Sequence, residues 1–439
     1  MKERTCFRDF VKYSSLNVLG MIGLSCYILA DTFFVSQGLG TNGLTSLNLA
    51  IPIYSFIHGS GLMIGMGGGT RYSIQKSRME HGAANRTFTN AVYLAAAFAV
   101  LFVVVGLFLS GTIVSLFGAD ESVFAMSETY LRVILLFAPA FLLNNVLLCF
   151  VRNDGAPQLA MAAMIGGSLS NVVLDWVFIF PCRMGMFGAA FATGLAPVIS
   201  MLILSPHFIR RRNEFHFTKC RLEGRLSAGI LSSGAPSLVT EVSSGIVIIV
   251  FNAIILRLEG NVGVAAYGVI ANLSLVVIAV FTGIAQGIQP IVSRYYGSRN
   301  FAYVSATLRY ALITMLLFSA AIYAAVFVGA EQIANLFNSE QNATLQRIAA
   351  EGMRLYFIAC PFAGFNVILS MYFTSTERPR PAHAVSLLRG FFVIIPMAFV
   401  LSWIGKIYGV WCAFPATELL VSVIGGVWFL KSRQKTEKQ

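Results

Sequence analysis

Charge is what this sequence has least of. Asp, Glu, Lys and Arg make up 11% of its 439 residues, less than half the roughly 25% of an ordinary soluble domain, so a water-facing surface cannot be assembled from them. Residues 32–70, 87–119, 184–209 and 260–293 contain no charged side chain at all. Acids are scarcer than bases, 19 against 31. Histidines number five and cysteines seven. Both are dispersed, which leaves no disulfide framework, no metal-ligand cluster and no H-E-x-x-H or G-x-S-x-G motif. A membrane-embedded enzyme, which would need such a cluster, is therefore the weakest functional class.

What fills the space is apolar. Hydrophobic residues are 57% of the chain and the mean hydropathy is +0.75. A bilayer core needs roughly 20 apolar residues per helix, and such runs follow one another along the chain. Strict polar–apolar alternation is missing, which excludes barrel strands. About twelve spans are predicted, near 13–35, 45–70, 88–112, 129–150, 160–181, 187–206, 229–256, 263–292, 303–328, 353–375, 383–404 and 408–430. The first apolar segment reads as an uncleaved first helix.

The formal charge of +12 does not point to nucleic acid, because the bases gather in alternate loops. Lys2 to Lys12, Arg71 to Arg86, Arg210 to Arg225 and the tail from Lys431 fall on one side, the positive-inside bias of a cytoplasmic face. The expectation is an all-α, multi-pass protein of the bacterial inner membrane with both termini cytoplasmic.

The basic run 210–225 divides the chain into two sets of six spans. Matching punctuation recurs about 220 residues apart, as an internal repeat does: Gly40 and Gly43 with Gly260 and Gly263, Ser73 with Ser293, Pro157 with Pro379, Gly188 with Gly409. Six spans per copy give both copies the same orientation, a parallel repeat about an axis along the membrane normal. The expected organisation is an N-lobe over 1–209, a cytoplasmic inter-lobe loop over 210–225, a C-lobe over 226–430 and a tail over 431–439. Two facing bundles enclose a cavity that rocking opens to alternate sides, which is the architecture of a transporter.

Four carboxylates, Asp31, Asp175, Glu241 and Glu418, fall inside spans, where each costs at least about 2.5 to 3.5 kcal/mol. Asn171 and Asp175 lie four apart, on one helical face, and Thr193 can add a hydroxyl. Oxygen ligands of this kind suit Na⁺, and a desolvated carboxylate suits a proton. His58 reads as a hydrogen-bonded interior residue, and Glu418 as a packing or inter-lobe residue. The intramembrane charges read as acidic throughout. The abundance of aromatic and Met side chains suits flat, lipophilic cations.

The stretches YILADTFFV from Tyr27, FVRNDGAP from Phe150, SNVVLDWVFIF from Ser170, GMFGAAFAT from Gly185 and GIAQGIQPIVSRYYGSRN from Gly283 resemble the multidrug and toxic compound extrusion (MATE) family, in its DinF-like or MepA-like bacterial branch. The resemblance spans nearly all twelve helices. It implies a cation-coupled antiporter of lipophilic or cationic drugs, acting as a monomer without a cofactor, with H⁺ or Na⁺ as coupling ion. Carried over by position, it implies an N-lobe cation site at Asp31, Asn171, Asp175 and Thr193. It also implies cavity residues at Tyr27 and Asn145, and a drug or second-proton position at Glu241. Two positions depart from the family pattern: Leu16 stands near the place of an early proline, and Ser36 replaces the usual glycine. The rival within the superfamily is a flippase for a lipid-linked oligosaccharide or precursor, for which a basic cavity is expected.

Overall fold

The structure is a computed structural model that describes residues 2–337 and 342–436. Every described element is helical. Among the described residues, eight helices are long and apolar enough to cross a membrane, and a ninth span is the bent pair Glu121–Leu136 and Ala138–Asn153. Three of the nine are each interrupted by one non-helical residue, at Gly40, Gly260 and Lys406. Twelve spans result: α1 (2–39), α2 (41–77), α3 (His81–Phe108), α4 (121–153), α5 (Pro157–Ile179), α6 (Gly185–Ile209), α7 (224–259), α8 (261–297), α9 (Phe301–Phe337), α10 (343–375), α11 (379–405) and α12 (407–436). A short helix, Ser110–Leu116, follows α3.

Most helices extend beyond the predicted spans at one or both ends, by up to about three turns. Backbone hydrogen bonding continues into the interface, where Lys and Arg extend their heads to water. The bend of 46° in α4 falls where Pro139 enters the first turn of the second piece, and proline supplies no N–H and crowds the preceding carbonyl. Its counterpart in α10 is the 3₁₀ turn Phe357–Ala359, followed by Pro361.

The repeat is written in the backbone. Gly40 (φ 67°, ψ −158°) and Gly260 (φ 64°, ψ −156°) adopt the same conformation. A side chain is disfavoured at both. Three residues on, a Cβ at Gly43 or Gly263 would sit 2.5 Å from the Cβ of Leu39 or Glu259. Left-handed residues pair likewise: Met79 with Arg299, Gly155 with Glu377, Gly185 with Lys406.

Two cores follow from this. One joins Val35 to Phe215 with Ile230, and the other joins residues from Phe251 to Ala413 with Phe10 and Tyr13. The start of α1 thus packs into the second core and the start of α7 into the first. Glycines permit this exchange by close backbone approach. A Cβ at Gly67 would strike the Ile230 carbonyl, one at Gly234 the Met63 carbonyl, and ones at Gly283 and Gly287 the backbones of Val18 and Ser14. Hydrogen bonds join the halves at the same level: Asn153 Nδ2 donates to Gln289 Oε1 (2.9 Å), and Gln289 Nε2 donates to Thr70 Oγ1 (3.1 Å). All of these contacts lie toward the helix ends that carry residues 2, 77, 224 and 297.

The segment before α7 is laid onto the first half. Backbone N–H groups of His216, Thr218 and Glu223 donate to side chains of Asn85, Thr89 and Asn90 on α3. Phe215 is fully buried among Tyr72, Phe88 and Phe150. Beside it the Asp154 carboxylate accepts from Tyr72 Oη (2.5 Å), Lys76 Nζ (2.8 Å), His207 Nε2 (2.9 Å) and the Glu214 N–H (3.0 Å).

Candidate functional site

A cavity enclosing about 790 Å³ of atom-free space, part of it open to the outside, lies within the first half. Helical spacing builds its wall. On α2, Tyr54, His58 and Leu62 recur every four residues and so share a face. On α4, Phe141, Asn145, Leu148 and Arg152, at steps of four, three and four, share a face likewise, and α1, α5 and α6 complete the enclosure. The second half contributes Glu241 from α7 and Gln286 from α8.

Of the expected cavity residues, Tyr27, Asn145 and Glu241 all line this space. Tyr27 and Tyr54 hydroxyls are 2.8 Å apart. Asn145 Nδ2 donates to the Phe141 carbonyl (3.1 Å) and lies 3.2 Å from His58 Nδ1. The His58 ring stacks on Tyr54 at 5.9 Å, so the interior, hydrogen-bonded role read for His58 holds.

Asp31, Asn171, Asp175 and Thr193 meet, although three separate helices carry them. The Asp31 and Asp175 carboxyls come close enough to act on each other. Two carboxylates this close repel each other in a buried site unless a proton or a cation stands between them. Asn171 sits between: in the amide orientation that satisfies both neighbours, it donates to Asp175 Oδ2 (3.0 Å) and accepts from the Thr193 N–H (3.2 Å). Thr193 Oγ1 donates to the Ala189 carbonyl (3.1 Å). Asp175 is fully buried and Asp31 is 7% exposed. Neither acid lines the cavity itself. They stand one layer behind it, backed against Thr193 and Tyr27, which do. One oxygen of each acid, Oδ1 in both cases, is buried without a hydrogen-bond partner. Orphaned carboxylate oxygens next to an amide and a hydroxyl fit a proton or a small hard cation.

Two members of the cluster escape the sequence reading. Tyr130 on α4, 3% exposed, lies close to Thr193 and to both acids. Tyr54, itself in the cavity wall, meets Tyr27, one turn from Asp31, through their hydroxyls. With 15 tyrosines in the chain, nothing in the sequence singles these out.

The expectation of purely acidic intramembrane charge is corrected. Arg389 on α11 donates through Nη2 (2.7 Å) and Nε (3.1 Å) to Glu418 Oε1, and Asn366 Nδ2 donates to Oε2 (2.7 Å). Glu418 is thereby a fastener within the second half and not a link between halves. Arg152, 3% exposed, is a second buried cation and borders the cavity. Arg152 was hidden by the turn-forming neighbours Asn153 to Pro157, which place it near a loop on paper, whereas Arg389 falls inside the span predicted at 383–404, so its charge was legible there.

Comparison with known proteins agrees with this geometry. A family model, MatE, matches residues 18–177 and 236–400. The chain is 22% identical over 441 residues to the multidrug export protein MepA of Staphylococcus saprophyticus, covering all of this chain and 97% of that one. It is also 22% identical to MepA of Staphylococcus aureus strain MRSA252, covering 94% and 91%. Among solved structures, an outward-facing multidrug resistance MATE family transporter of the MOP superfamily superposes with a TM-score of 0.91 at 24% identity, over 98% of this chain and 96% of that one. A MOP superfamily transporter from Pyrococcus furiosus Vc1, described as having a binding pocket of reverse polarity, gives 0.91 at 23% identity over 98% and 96%. With twelve spans in two repeated bundles, a matched family model over most of its length and full-length relatives, the chain belongs to the MatE family.

Proposed function

We propose that this transporter is a secondary multidrug exporter, exchanging lipophilic or cationic drugs for H⁺ or Na⁺ by alternating access. The relatives are transporters, so the protein is a transporter and not an enzyme. The observation that carries the proposal is the acid pair. Asp31 on α1 and Asp175 on α5 share one buried pocket, each with an orphaned oxygen, directly behind the cavity wall.

A proton or Na⁺ held there lets the two carboxyls stay together. Its loss leaves two anions in a low-dielectric site, and their repulsion drives α1 from α5. Because Tyr27 and Thr193 face both the acids and the cavity, that displacement reshapes the drug site. The moving bodies in this reading are residues 1–209 and 226–430, joined by 210–225, with 431–439 as a tail. The protein works as a monomer in the bacterial inner membrane, termini inside, and needs no cofactor. Ion entry from outside supplies about 2.3 kcal/mol per charge per 100 mV.

Asp31→Asn and Asp175→Asn, expressed in a drug-sensitive host at wild-type protein level, test this. Efflux of a cationic dye is expected to fall at least about tenfold in each, the scale of one lost coupling step. Wild-type efflux by both removes the coupling site. Proteoliposomes under an imposed pH or Na⁺ gradient then identify the ion. Arg152 is the one observation on the side of a flippase, and translocation of a lipid-linked sugar without dye export would establish that reading instead.

A further inference from the structure

Arg152 carries a full charge into the interior and no acid answers it. Its Nη1 donates to Asn17 Oδ1 (2.7 Å) and Gln286 Oε1 (2.9 Å), both neutral. Its Nη2 faces two sulfurs, Met66 Sδ at 3.2 Å and Cys149 Sγ at 3.6 Å, which are weak acceptors. Its Nε has no partner at all. Among the described residues no carboxylate forms an ion pair with it, whereas Arg389 is fully paired. Burying an uncompensated guanidinium is costly, and this one borders the drug cavity. The Nε–Nη2 edge, the one that holds carboxylates by two parallel N–H···O bonds, is the edge without an oxygen partner.

We propose that Arg152 is an oxyanion subsite at the closed end of the cavity, which takes the carboxylate of an amphoteric, aromatic substrate. Glu241 supplies the opposite pole. Glu241 packs at the level of Gly59 on α2 and Arg152 at the level of Met66, a separation of seven residues or about 10 Å along the helix. A drug-sized zwitterion spans that distance. The cavity therefore selects molecules with an ammonium toward Glu241 and an oxyanion toward Arg152, with the aromatic and Met wall between. Arg152 also touches Gln286 of the second half, so an incoming carboxylate competes with a contact between the halves. This inference rests on the export reading above and names the substrate class of that same cavity.

The test uses the full-length protein in lipid nanodiscs and two fluorescent xanthene dyes that differ only in a free carboxylate or its methyl ester. The readout is the ratio of their dissociation constants, which cancels any general loosening of the cavity. Arg152→Gln deletes the charge. Gln286→Glu keeps the bridge to Nη1 and places a carboxylate 2.9 Å from it, so that Arg152 is neutralised in place. Each variant is expected to shift the ratio against the free acid by about tenfold, the worth of one charge-assisted contact. Arg152→Lys is expected to shift it less. If Arg152 only bridges the halves, Gln286→Glu strengthens that bridge and leaves the ratio unchanged, and the subsite is refuted. If folded wild-type protein binds neither dye, the export reading fails and the subsite with it.

Discussion

Asn145 and Asn366 occupy matching places on α4 and α10, and their surroundings show how one backbone came to hold two different interiors. In the first half, Asn145 faces a cavity, beside His58 and within reach of Tyr54. In the second, Asn366 donates both to the Glu418 carbonyl (2.9 Å) and to its carboxylate, which Arg389 also grips. The place of Asp31 is taken in the second half by Phe251, stacked on Tyr267, which in turn stacks on Trp411. The second half is thus filled and its one deep acid is paired with a cation. The first half is left open, and its two deep acids lie side by side with no cation paired to either among the described residues. An acid with a cation at its side holds helices together; an acid pair without one is the arrangement that the proposed coupling requires.

The largest effect that separates the two is expected at Glu418. Glu418→Ala leaves Arg389 buried and unpaired, and breaking such a pair costs about 3–5 kcal/mol. The midpoint of thermal unfolding of the purified protein should fall accordingly, and most of the loss should return when Arg389 and Glu418 are both replaced by Met. A Glu418→Ala protein that melts with the wild type would place Glu418 among the functional acids and dissolve the contrast.

The same measurement on Asp175→Asn should give a much smaller change, within about 1.5 kcal/mol, because no cation is stranded and the amide still accepts from Asn171. Loss of efflux without loss of stability is the signature of a binding acid. A melting shift as large as that of Glu418→Ala would mean that the Asp31–Asp175 contact fastens α1 to α5 and couples nothing.

How far this contrast could be read from sequence depended on cost and spacing. An acid inside an apolar run is expensive wherever the helix packs, so Asp31, Asp175, Glu241 and Glu418 stood out. The four-residue step from Asn171 to Asp175 put both on one face before any packing was known. The breaks at Gly40 and Gly260 were legible because only glycine relieves that backbone, whereas the break at Lys406 has no such marker. Whether an acid was fastened or free depended on partners distant in the chain. Glu418 is 29 residues from Arg389 and 52 from Asn366, and nothing local in the sequence links them. Arg152 is the clearest case of hidden chemistry, since its neighbours announce a turn while its side chain reaches back into the cavity.

The smallest expected effect sharpens the comparison at two matching helix caps, one an acid and the other an amide. Asp120 caps the first piece of α4, accepting from the Ser122 N–H (3.0 Å), the Val123 N–H (3.2 Å) and Ser122 Oγ (2.6 Å). Asn342 caps α10 in the same way, accepting from the N–H groups of Thr344 (2.9 Å) and Leu345 (3.1 Å). The Ser122 hydroxyl, with the two backbone donors, holds the Asp120 carboxyl below its ordinary range. A depressed folded value means that this cap stabilises fully above the unfolded value of about 3.9 and weakens as pH falls through the lower folded one. Asn342 has no proton to gain. Amide hydrogen exchange, corrected for its intrinsic pH dependence, should therefore accelerate over residues 121–124 on acidification to about pH 3 and stay level over 343–346. Asp120→Asn should make the two caps respond alike, and if residues 121–124 still loosen in that variant, the acid sensitivity belongs to another group.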